Sequence, residues 1–147
     1  MRKRTRAREV ALQILYQYDI RKEDPGMLID DYWKREYLSE NKLDDSVRDF
    51  AAILVKGTID NLEKIDSMVI SYTENWKLER MAVVDRNIMR MATYELLFMH
   101  DIPPKVSINE AVDLAKKYGD VDSGKFVNGI LDKIGKSERK EIEGKES

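Results

Sequence analysis

The segment from Met81 to Met99 restricts the fold more than any other part of the chain. It carries Ile88, Met89, Met91, Ala92, Leu96, Leu97 and Phe98, and it stops at His100-Asp101-Ile102-Pro103-Pro104. Two consecutive prolines forbid helix continuation, because each lacks an N–H and restricts the residue before it. A helix this apolar must be covered by neighbours, so it is the expected centre of the molecule. The neighbours are also readable. Val10, Leu12, Ile14, Leu15 and Tyr18 contain a helical stripe in a helix starting near Thr5, and Asp24-Pro25-Gly26 is a turn that ends it. Met27 to about Leu38 reads as a second helix with Leu28, Ile29, Tyr32 and Trp33 for packing, followed by a polar loop from Ser39 to Asp45. From Ser46 the apolar intervals run on to Ile70 and predict one long helix, and Trp76 and Leu78 lie in the connection before Met81. Three prolines and the lack of sustained strand-like alternation favour an all-α fold. At 147 residues and 42% hydrophobic, the chain supports one sizeable core. The expected organisation is a helical domain over 1–135 and a charged, disordered tail over 136–147.

The stretch from Ser107 to Asp132 reads as two helices joined by a charged turn. Ser107 and Glu110 have capping-box spacing, Ala111, Leu114 and Ala115 give a stripe, and Gly119 stands where a helix stops. Asp122 or Ser123 can cap the next helix, whose apolar positions are Val127, Ile130, Leu131 and Ile134, with Gly129 expected to allow close approach. Phe126 falls in its first turn beside Lys125 and Asp122. An aromatic ring there is either a core plug or a platform for an unstacked base.

Charge is unevenly spread. The formal net charge is −2, which argues against a generic nucleic-acid binder. Yet Arg2, Lys3, Arg4, Arg6 and Arg8 open the chain without an intervening acid, and the remainder holds 21 basic residues against 28 acids. A basic arm on an acidic body concentrates attraction for phosphate at one place. The plainer reading is a solvated basic terminus. Tyr16, two turns beyond Arg8, can stack on a base or can be an ordinary boundary tyrosine.

Several classes of chemistry find no support. There is no cysteine, hence no disulfide, thiolate metal site or cysteine nucleophile. His100 is the only histidine and has no nucleophile near it in sequence. Asp120-Val121-Asp122-Ser123-Gly124 resembles the start of a calcium loop, but its glycine comes one position early and Leu131 stands where the bidentate Glu belongs. No phosphate-binding glycine loop, zinc spacing or nucleophile elbow occurs. No apolar signal-peptide core or membrane-spanning run is present, so a cytoplasmic, non-catalytic, cofactor-free protein is the expectation.

Four pieces of the chain together resemble the NusB family of transcription antitermination factors. They are Arg6-Ala7-Arg8-Glu9 with Ala11, Leu15 and Tyr16; Trp76 leading to Val84-Asp85-Arg86 and Arg90 to Leu96; Val106 to Ala111 with Ala115 to Gly119; and Ser123 to Asp132. The resemblance implies two packed helical bundles without catalytic activity. It implies pairing with NusE, a small-subunit ribosomal protein, and binding of single-stranded boxA RNA in nascent, notably ribosomal, transcripts within the RNA polymerase antitermination complex. By position it implies RNA contacts at Lys3, Arg4, Arg6, Arg8, Tyr16, Asp122, Lys125 and Phe126, and a NusE side at Asp85 and Arg86. Asp122 can accept from a base amino group or cap its helix. A homodimer hiding the RNA face stays open, as do two alternatives: a detached RNA-binding module of a ribosomal RNA methyltransferase, and a structural or dimerising helical protein with Tyr16 and Phe126 in the core.

Overall fold

The computed structural model describes residues 2–39, 43–73 and 77–139. Seven α-helices and two short helical turns account for the regular structure, and no strand occurs among the described residues. Contacts divide the chain into two units, Met1–Asp60 and Asn61–Ser147. Trp76 lies outside the described residues, as does the tail beyond Arg139.

The first unit holds α1 (Lys3–Arg21), α2 (Pro25–Tyr37) and α3 (Asp45–Asp60). Helix α1 packs mainly on α3, with α2 against both. Ala7, Val10, Ala11, Ile14 and Leu15 are buried on α1, and Phe50, Ala51, Leu54 and Val55 on α3. The Asp24-Pro25-Gly26 turn behaves as expected: the Asp24 carboxylate accepts the Met27 N–H at 3.1 Å, and Pro25 takes the first helical position, where its missing N–H costs nothing.

The long helix expected from Ser46 to Ile70 is broken. Helix α3 ends at Asp60, and α4 (Leu62–Tyr72) starts afresh with Asn61 as its N-cap at φ −112° and ψ 19°. Apolar spacing continues through the break because each half must bury its own stripe, so periodicity alone cannot locate it. The break coincides with the boundary between the units.

The second unit is built around α5 (Val83–Phe98), with α4, α6 (Pro104–Tyr118) and α7 (Ser123–Ile134) against it. Ile88, Met89, Met91, Ala92 and Leu96 on α5 are all at most 1% exposed, the central position that its composition demands. The capping box expected at Ser107 is absent. Helix α6 begins at Pro104, a turn earlier, since proline is tolerated in the first turn; Ser107 is therefore inside the helix, and its hydroxyl donates to Glu95 Oε1 at 2.9 Å. Gly129 also departs from expectation: a Cβ there would meet nothing within 4 Å, and the residue is exposed.

The chain does not fray at Lys136. Residues Gly135–Arg139 form a π turn, and Arg139 is 5% exposed. Its guanidinium donates to the carbonyls of Leu96 at 3.2 Å, His100 at 2.6 Å and Ile102 at 3.1 Å. These lie at the end of α5 and just beyond it, where helix carbonyls lack intrahelical partners and the dipole favours a cation.

Candidate nucleic-acid interface

In the first unit the basic arm is helical from Lys3, and the Arg6 N–H already donates to the Arg2 carbonyl at 3.0 Å. Stacking cations in the first turn of a helix opposes the macrodipole, so the arrangement needs support. Three contacts provide it. Lys3 Nζ pairs with Asp44 at 3.0 Å, Arg6 reaches the buried Glu9 at 3.4 Å, and the Arg4 guanidinium lies 4.7 Å from the centre of the Phe50 ring. The Ser46 backbone N–H and then the Lys3 ammonium hold the Asp44 carboxyl down at about 2. Lys3 and Arg4 stay exposed and Arg6 half-buried, so the charges are ordered yet accessible.

Arg8 does not follow them. It is 2% exposed, with its guanidinium 5.4 Å from the same Phe50 ring. Arg4 and Arg8 are four positions apart, so both lie on the helix face that packs against α3, and the second is driven inside. The resemblance implies an RNA contact at Arg8; in this structure its side chain packs beside Phe50. Tyr16 is 38% exposed, which removes the alternative of a core tyrosine.

In the second unit, the entrance of α7 and the first turn of α5 enclose a cleft of about 580 Å³. Arg80, Asp85, Asp120, Asp122, Ser123 and Phe126 line it. Phe126 is half-buried at this cleft, which excludes a core plug, and Lys125 is exposed beside it. Asp122 stands at the N-cap position but its side chain makes no capping bond, so of its two expected roles capping is excluded. Ser123, expected as a cap, is 3% exposed and bonded elsewhere: its hydroxyl donates to Asp85 Oδ2 at 3.1 Å and accepts the Asp120 N–H at 2.9 Å.

Asp85 is 9% exposed, and its second oxygen, Oδ1, is buried without a hydrogen-bond partner. Burial pushes its carboxyl up; the Ser123 hydroxyl partly offsets this, and the nearby Asp120 charge adds to it. Arg86 is half-buried and turns toward the Leu78 carbonyl at 3.4 Å. Asp85, Asp122 and Phe126, which sequence reasoning assigns to different partners, thus border one cleft. Three carboxylates beside an aromatic edge suit a cationic side chain or a base amino group and repel phosphate. Among the described residues no group of His, Cys, Asp and Glu could hold a metal ion.

Sequence reasoning misses Ser123 as a buried link, and Arg80 and Asp120 as cleft residues. Only the closeness of Asp120 and Asp122 signals a site, and loop spacing disguises it as a failed calcium motif.

Comparison with known proteins gives concordant results. The model of the NusB family matches residues 5–136. The transcription antitermination protein NusB of Desulforapulum autotrophicum is 47% identical, over 89% of this chain and 90% of its own length. That of Trichlorobacter lovleyi is 49% identical, over 89% of each chain. Among solved structures, T. maritima NusB superposes with a TM-score of 0.80 at 44% identity, covering 91% of both chains. A complex of the antitermination factors NusB and NusE with double-stranded RNA contains a chain matching at a TM-score of 0.80 and 34% identity, over 93% of this chain and 98% of that one. Among the described residues no helix is long and apolar enough to cross a membrane.

Proposed function

The chain belongs to the NusB family, and we propose that it is a transcription antitermination factor that binds boxA RNA together with a NusE-type ribosomal protein. In this reading the pair binds the single strand in nascent, notably ribosomal, transcripts and helps RNA polymerase resist termination. The protein carries no catalytic activity and works in the cytoplasm. The observation that carries the reading is the likeness, over nearly the whole chain, to a NusB seen together with NusE and RNA. Residues 1–135 are the RNA-binding part and 136–147 a charged tail, with Arg139 the exception that packs.

The physical chemistry supports a division of labour. On the first unit, Lys3, Arg4 and Arg6 supply phosphate contacts, and Tyr16 offers a ring for stacking. On the second, Lys125 meets the backbone, Phe126 stacks, and the uncommitted carboxylate of Asp122 accepts from base amino groups. Asp85 and Arg86 face NusE. A chain of net charge −2 binds RNA modestly alone, and a partner adding contacts to the same strand raises the affinity.

The test is a binding titration. A boxA-like single strand is expected to bind more tightly than a scrambled strand, and much more tightly after NusE is added. Equal binding of both strands with no gain from NusE overturns the reading. A point change refines it. Tyr16→Asp should weaken RNA binding about tenfold or more, since it removes a stacking face worth roughly 1–3 kcal/mol per base and adds repulsion. Because the ring is exposed, circular dichroism and NusE binding should stay near wild type. Unchanged RNA affinity would move the stacking site away from Tyr16.

A further inference from the structure

We propose that Ser123 is a positioning residue that couples partner binding at Asp85 to RNA contact at Asp122 and Phe126. The inference rests on the reading of Asp85 as the NusE side and of Asp122 and Phe126 as the RNA side.

Ser123 is 3% exposed, so it reaches neither ligand itself. Its hydroxyl is used in both directions, donating to Asp85 Oδ2 at 3.1 Å and accepting from the Asp120 N–H at 2.9 Å. One bond fixes α5 and the other fixes the turn that carries Asp122. The turn is closed tightly over this hydroxyl, for a Cβ on Gly119 would stand 2.5 Å from Ser123 Oγ. From the turn, the Asp122 carbonyl accepts the Phe126 N–H at 3.1 Å, which carries the same constraint to the ring.

Asp85 can sense a partner through this arrangement. Its Oδ1 is buried without a hydrogen-bond partner, so a guanidinium or ammonium that displaces the cover over it from the cleft side supplies the donor it lacks. Pairing there fixes the carboxylate plane, and with it Oδ2, the Ser123 hydroxyl and the turn. An RNA strand then meets Asp122 and Phe126 already ordered, and spends less of its binding energy on ordering them. The coupling is reciprocal: RNA held at the turn must raise affinity for the partner by the same factor.

The test compares the gain in boxA-strand affinity on adding NusE for wild type and Ser123→Ala. The gain should fall about fivefold to tenfold in the variant, the size of one typical net hydrogen bond, while the affinities for RNA alone and NusE alone shift by no more than about threefold. A purely structural role would lower both binary affinities and leave the gain from NusE intact. An undiminished gain in a folded Ser123→Ala protein overturns the coupling. Should that variant lose helical content, Ser123→Cys fills the same space with a weak hydrogen-bonding group and carries the test, with the same loss of gain expected and an undiminished gain again fatal. A wild-type protein with no gain from NusE overturns the functional reading itself, which separates the two failures.

Discussion

Replacing Arg139 by alanine should lower the stability of the protein by about 3 kcal/mol, a drop of roughly 10 °C in the midpoint of thermal unfolding for a chain of this size. The guanidinium is 5% exposed and serves three carbonyls, those of Leu96, His100 and Ile102. Alanine leaves acceptors at a buried helix end without donors, and each orphan costs about 1–3 kcal/mol. It also removes a cation from the negative end of the α5 dipole. Arg139→Lys should recover only part of the loss, because an ammonium is a point donor and cannot reproduce the spread of the planar fork. A chain ending at residue 135 should unfold at about the same temperature as Arg139→Ala. If that truncation melts like the full chain, the π turn contributes nothing and the end of α5 is satisfied by other means.

Arg139 also marks the limit of what the sequence discloses. Lys136 to Ser147 mixes charges without an apolar face, and composition predicts a solvated tail. What binds Arg139 is a set of backbone carbonyls distant in sequence, and backbone acceptors leave no trace in residue types. The central helix α5 is legible for the opposite reason. Its apolar side chains identify it, and two prolines fix its end. The break at Asn61 and the early start of α6 at Pro104 are settled by packing rather than by local pattern, so the stripe through residue 70 and the Ser107–Glu110 spacing both mislead.

The same contrast applies to the candidate site. Tyr16 and the arm are visible as residue types, and the structure leaves Tyr16, Lys3 and Arg4 on the surface. Arg8 is indistinguishable from its neighbours by charge alone, and only its spacing from Arg4 on the face against Phe50 explains why it is buried. Ser123 reads as a helix cap because serine is a good cap. Its actual acceptor, Asp85, is 38 residues away in sequence. That long-range bond turns a charged turn and a helix start into one cleft.

Asp85→Asn should make the protein more stable and less able to hold its partner. The wild-type carboxylate lies in a poorly solvated position, with Asp120 adding repulsion, and both effects hold its pKa above the usual 3.8. A raised carboxyl pKa means that the folded state gains from protonation. That contribution is complete below the unfolded value near 3.8 and is lost as pH rises through the higher folded value. Asparagine keeps an oxygen for the Ser123 hydroxyl and removes the charge at every pH. Its advantage over wild type should therefore be largest at neutral pH and should shrink as pH falls toward the unfolded value. Affinity for NusE should move the other way, falling about thirtyfold or more, because a cation from the partner would lose its paired charge. Thermal melts across the acid range, run beside NusE titrations, check both halves. A variant that is less stable at neutral pH would mean that the Ser123 bond to an ionised oxygen outweighs desolvation. A stabilised variant with full NusE affinity would remove Asp85 from the partner side. Stabilisation with lost affinity is the combination expected of a carboxylate kept for binding at the expense of the fold, and its unpartnered Oδ1 is where that expense arises.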